Sequence, residues 1–215
     1  MRKSVLFILI TITMFNLFGK GSKSDNNKEF KKISSKIFPI IKVESADNKN
    51  SENQNIDLLL EGNNQPVFKS IAGDLLCFYG IDRGSHFELI LKKQLPEDIT
   101  TEQLDKFAHD NLLKTIGNKT QIHKTKFGGI GFSCGGEHEA ALITLPEIWV
   151  MVQKELGDSI VFSVPSKDLI LFVSSEKQSE IESLKTLIEE VHKEGGRLLS
   201  KQLFTYKNGK IEVMK

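Results

Sequence analysis

From Asp74 onward, short β-prone runs come in pairs joined by turn-forming residues, and an amphipathic stripe follows all but the last pair. Asp74 to Ile81 and His86 to Lys92 flank Asp82-Arg83-Gly84-Ser85, and Thr120 to Phe127 and Ile130 to Cys134 flank Gly128-Gly129. Ser159 to Val164 and Leu169 to Val173 flank Pro165-Ser166-Lys167-Asp168, and Gln202 to Tyr206 and Lys210 to Met214 flank Lys207-Asn208-Gly209. Turn residues between two such runs predict hairpins, and Asn-Gly suits a tight primed turn. A helix is expected from about Thr101, with Thr100 and Gln103 as a capping box and Gly117 as its stop. Its Leu104, Phe107, Ala108, Leu112 and Ile116 share one face at helical spacing. A second helix is expected from about Leu145, capped by Thr144 with Glu147 three residues on. A third is expected from Glu176 to Glu194, striped by Ile181, Leu184, Ile188 and Val191 and ended by Gly195-Gly196. The expected fold is α+β, a mostly antiparallel sheet built from ββα units with helices packed on one face.

The N-terminus has a different character. Arg2 and Lys3 precede an almost wholly apolar run from Val5 to Phe18. As a helix that run spans about 21 Å, short of the roughly 30 Å hydrocarbon core, so a secretory signal is the better reading, with an uncleaved anchor or a buried core helix as the alternatives. Residues 1–19 are therefore expected to be a signal peptide or N-terminal anchor, with cleavage after Gly19 or Gly21. Residues 20–35 read as a polar tether with too little apolar surface to pack, and residues 36–215 as a single domain. Pro39 confines the first segment, Lys36 to Val43, to an edge strand or extended arm. Glu44 to Asn55, rich in Asn, reads as a surface loop.

The charge balance, +1 overall, gives no basic footprint for nucleic acid and no polybasic membrane patch. Contact with a membrane is thus expected only through the N-terminal segment, if it stays uncleaved. Cys77 and Cys134 are the only cysteines. They permit one disulfide in an oxidising compartment, or stand as two buried thiols.

Cys134-Gly135-Gly136-Glu137-His138-Glu139 is the densest chemistry in the chain. With His123 from the neighbouring strand it suggests zinc ligands, although the C-x₂₋₄-C pair common in structural sites and the H-E-x-x-H helix of metalloproteases are absent. Cys134 as a nucleophile with His138 or His123 as base is a second chemical reading. The plainer one is a loop with charged tips and one buried thiol. On that reading no catalytic, cofactor-binding or metal residue is assigned. Gly128-Gly129-Ile130-Gly131 lies between strands and lacks the helix N-terminus of a phosphate cradle. Asp168 reads as a turn former, Trp149 as a core residue, and His86, His109 and His192 as surface residues.

The segment from Gly157 to Leu171, with Val164-Pro165-Ser166-Lys167-Asp168 at its centre, resembles the "GD…VPxxDvLl" signature of YtpQ-like proteins, a bacterial family of unknown function. Leu203 to Lys210 resembles that family's closing hairpin, Ile37 to Lys42 its "iyPvir" segment, and Glu137 to Leu142 its "gyeAs" stretch, where His138 replaces a frequent Tyr. The resemblance runs from about Lys36 to Val213. It implies a shared fold and no particular activity, and a signal segment stands here in place of the family's own N-terminal region. The expected function is that of an exported, non-catalytic binding or interaction protein of the cell envelope. The sequence does not identify its partner; an envelope protein is one class that fits. The alternative is a small metal-dependent or thiol envelope hydrolase using the Cys134/His138 region.

Overall fold

The computed structural model of the chain describes residues 30–44 and 62–215. The apolar N-terminal run, most of the tether and nearly all of the Asn-rich stretch lie outside them. In chain order the elements are β1 (Ile37–Val43), β2 (Phe68–Ala72), β3 (Leu75–Asp82), β4 (Phe87–Leu89), α1 (Thr101–Ile116), β5 (Gln121–Lys124) and β6 (Ile130–Ser133). Then follow α2 (Pro146–Leu156), β7 (Ile160–Ser166), β8 (Leu169–Ser174), α3 (Gln178–Glu194), β9 (Phe204–Lys207) and β10 (Lys210–Val213). The fold is α+β, with every strand pairing antiparallel.

The strands form two sheets where the sequence suggested one. In the first, β3 is central, β1 lies along one side, and β2 and β4 share the other. The second runs β10-β9-β7-β8-β6-β5. All four expected hairpins form, and Asn208-Gly209 makes its turn with both residues at positive φ (52° and 75°), as a primed turn requires. Pro39 sits on β1 at a sheet edge, where its missing N–H breaks no ladder.

The alternation of side chains along a strand explains why the helices do not share one face. On the second sheet, Ile160, Phe162, Ile170 and Phe172 join Ile148, Trp149 and Val152 of α2 in one core. Val161, Leu171 and Val173 point the other way and meet Ile181, Leu184 and Ile188 of α3. The core under α2 also takes in Phe38, Ile41, Leu75 and Cys77, so the two sheets share one buried interior. Trp149 anchors it, stacked on Tyr206 at 4.0 Å and edge-on to Phe162 and Phe172. Such aromatic pairs each contribute roughly 0.5–1.5 kcal/mol beyond the area they bury. The Trp149 indole N–H donates to the Ile143 carbonyl, so the ring's one polar group is satisfied.

Local signals fared unevenly. The Thr100/Gln103 capping box on α1 is formed in both directions. Helix α2 departs from expectation: its N-cap is Leu145, Pro146 occupies its first turn, and the Thr144 hydroxyl donates to the Ala141 carbonyl. The tether also needs correction at its C-terminal end. Phe30 is 3% exposed, packs edge-on against Phe107 of α1, and is joined by Ile33. The ordered domain therefore reaches back at least to Phe30.

The Gly128-Gly129 turn shows how closely the chain approaches the neighbouring strand of its own sheet. A Cβ at Gly129 would press into the Phe172 carbonyl oxygen of β8. Overpacking of this kind costs roughly 1–3 kcal/mol. G129A should therefore lower the melting temperature by several degrees, at roughly 2–4 °C per kcal/mol for a chain of this size. G196A, where a Cβ meets nothing within 4 Å, should leave it unchanged. Thermal unfolding of both variants checks this.

Candidate functional site

Strand β6 ends at Ser133, and the chain turns back through Cys134–Glu139 before a short 3₁₀ turn, Ala140–Thr144. The reversal uses Gly135 and Gly136 at φ 118° and 85°, which side-chain-bearing residues rarely adopt. Glu139 fixes the loop from within. Its carboxylate, 2% exposed, accepts the Cys134 and Gly136 amides at 2.8 and 2.7 Å on Oε1 and the His138 amide at 3.1 Å on Oε2. Burial pushes its carboxyl up, but the amides of Cys134, Gly136, Glu139 itself and His138 outweigh that and hold it below the ordinary carboxylate range.

The neighbouring side chains are turned to packing. His138, 9% exposed, stacks on Phe38 of β1 at 5.3 Å and stands edge-on to Phe87 of β4 at 6.2 Å. Burial lowers its pKa despite nearby Glu137, Glu139 and Asp82, which favours the neutral ring that stacks well. The Cys134 thiol lies in the shared core, where burial and then the Glu139 carboxylate push it up to about 12. It stays a thiol at neutral pH, the wrong form for a nucleophile. His123 is exposed on edge strand β5, with Nε2 2.6 Å from the Ser133 hydroxyl. Cys134, His138 and His123 thus do not form one ligand set, and among the described residues no three His, Cys, Asp or Glu side chains are grouped to hold a metal. Cys77 and Cys134 are both free and buried, the second of the two states open to them.

Outside this loop, three cations converge that the sequence did not single out. Lys167, in the β7–β8 turn, gives its carbonyl to the Ala140 amide and donates its own amide to the Arg197 carbonyl. Arg197, just past α3, donates Nη1 to the Gly136 carbonyl at 2.8 Å and is itself held at φ 56°. Lys42 alternates onto the same face of β1 as Phe38, the ring on which His138 stacks. Burial, then the charges of Lys42 and Arg197, push the Lys167 ammonium down to about 8. Burial also lowers Lys42. None of the ion pairs among the described residues involves any of the three. They come from three distant segments and look like ordinary surface cations in the sequence. In the sequence Lys167 stands out only as part of the VPSKD turn, and Lys42 only as the end of the Ile37 to Lys42 segment.

A separate cleft of about 340 Å³ lies where β1, α1 and the start of α2 meet, lined in part by Pro39, Asp105, His109 and Pro146. Two of its ionic groups are matched: Asp105 accepts from Tyr79 and pairs with Lys69, and His109 lies 3.2 Å from Glu147. Asp168 accepts from Ser166 within its turn, as a turn former does.

Two variants separate the roles of Glu139 and His138. E139Q turns an acceptor toward an amide into a donor and should lose roughly 1–3 kcal/mol at pH 7. Its acid limb should also flatten, because a depressed carboxyl stabilises above its unfolded pKa of 4.5 and loses that contribution as pH falls. A histidine kept neutral by burial loses stability as pH drops below its unfolded 6.5. H138F keeps the stack, should stay within about 1.5 kcal/mol of the wild type, and should remove that decline. Denaturant titrations from pH 2 to 8, reaching below the depressed Glu139 carboxyl, measure both effects. No family model, curated protein or solved structure matches the chain, so the site is read on its own geometry.

Proposed function

We propose that the chain is an exported, non-catalytic binding protein of the cell envelope, engaging its ligand or partner through the Gly135-Gly136 loop and the cations beside it. One observation carries this reading. The side chains with reactive chemistry are buried and occupied, Cys134 in the core, His138 in an aromatic stack and Glu139 on the loop amides, while Lys167 and Arg197, tied to the loop, and Lys42, near Lys167, stand outside the ion pairs of the described residues. A rigid platform edged with free charge suits recognition. Export rests on Arg2, Lys3 and the apolar run to Phe18. The YtpQ-like resemblance of Gly157–Leu171 and Leu203–Lys210 belongs to the same proposal and adds no activity to it.

Photo-crosslinking in the native host tests it. A photoreactive residue replacing exposed Glu137, at the tip of the loop, should give one discrete adduct in the envelope fraction. The same residue at exposed Lys126, on the β5–β6 hairpin, should give none. Mass spectrometry of the adduct reads its identity, protein or lipid. No adduct at position 137, or equal yields at both positions, would overturn the reading.

A further inference from the structure

We propose that Lys42, Lys167 and Arg197 together form a binding site for a phosphate group, held against the Gly135-Gly136 loop. The inference rests on the binding reading above and specifies its ligand chemistry.

The cluster is built by the backbone. The Lys167 amide bonds the Arg197 carbonyl at 3.0 Å, and the Ala140 amide bonds the Lys167 carbonyl at 3.1 Å, so the β7–β8 turn, the segment after α3 and the glycine loop are tied into one unit. The Arg197 guanidinium reaches the loop itself through Gly136. Hydrogen bonding to that carbonyl uses Nη1 and leaves other N–H donors of the fork to point elsewhere. Beside these groups lies room, because a Cβ on Gly135 or Gly136 would meet no atom within 4 Å.

Like charges do not gather in a fold without a compensating gain. Lys167 bears the cost directly, its ammonium disfavoured by burial and by the two cations beside it. Arg197 bears a second cost in its left-handed backbone, a conformation uncommon for a residue with a side chain. Unfavourable local terms that persist mark places where function sets the arrangement. An oxyanion relieves both lysines and offers Arg197 a planar or tetrahedral acceptor. Two lysines and an arginine suit a phosphate, with charge near −2 at neutral pH. The source of that group is either a soluble phosphate or a lipid headgroup, and the chemistry at the site is shared.

The test uses the chain isolated from its own host, ¹⁵N-labelled and titrated with inorganic phosphate at constant ionic strength. The amides of Gly135, Gly136 and Ala140 should shift together and saturate with one dissociation constant. R197Q and K167Q should each weaken binding at least tenfold, and K126Q should leave it unchanged. K167Q also removes a crowded charge, so it should melt no lower than the wild type, which separates lost binding from lost folding. Co-sedimentation with phosphatidylglycerol vesicles, absent with phosphatidylcholine and lost in R197Q, would assign the lipid headgroup. Saturable phosphate binding without co-sedimentation would assign a soluble phosphate. No saturable shift, or equal shifts in wild type, R197Q and K167Q, would overturn the site. An adduct at position 137 without phosphate binding overturns this assignment alone, and phosphate binding without an adduct overturns the envelope-partner reading alone.

Discussion

One buried carboxylate, that of Glu139, gathers three backbone amides, and the arrangement around the loop follows from it. Without those bonds the two glycines leave the chain between β6 and Ala140 many conformations to choose from. With them, the direction in which His138 leaves the backbone is fixed, and its ring reaches Phe38 and Phe87 on the first sheet. The loop of the second sheet is thereby pinned to the first. The Glu139 charge is stabilised locally by hydrogen bonds and so needs no cationic partner, which leaves the neighbouring cations free of it. That separation of a buried, amide-bound anion from an outer cationic rim is the basis of the site.

The sequence made the local structure legible and the long-range structure much less so. Hairpins and the α1 capping box depend on residues a few positions apart, and Thr100/Gln103 and Asn208-Gly209 did what their local chemistry prescribes. The division into two sheets depends on which hairpin meets which. Nothing in the runs around Gly84 or Gly128 states that β3 joins β1 while β6 joins β8. The tether failed for a different reason. A segment of Lys, Asn and Ser is polar on average, yet one Phe30 inserted beside Phe107 anchors its end. An average over composition cannot register a single well-placed ring.

The site was legible in position and not in role. Cysteine, histidine and carboxylate close together drew attention to residues 134–139, but metal binding and nucleophilic catalysis both need those side chains to point to one place. The fold sends the thiol into the shared core, the imidazole into an aromatic stack and the carboxylate onto the backbone. His138 plays an aromatic part, between the rings of Phe38 and Phe87. Lys42, Lys167 and Arg197 escaped notice because a charge cluster assembled from a strand, a turn and a post-helix segment has no spacing to read.

The two thiols serve the fold without a disulfide. Cys77 and Cys134 are both almost fully buried in the core that joins the sheets, and burial pushes both up to about 12. Oxidation proceeds through the thiolate and requires access, so neither thiol is readily attacked while the domain is folded. A chain of this length buries enough surface to dispense with a covalent staple. Its thiols act as small apolar groups in the same core as Trp149 and Phe162, and the packing that stabilises the domain also shields them. The core therefore does two things at once: it joins the sheets that position the cationic rim, and it shields the Cys134 thiol of the loop beneath that rim.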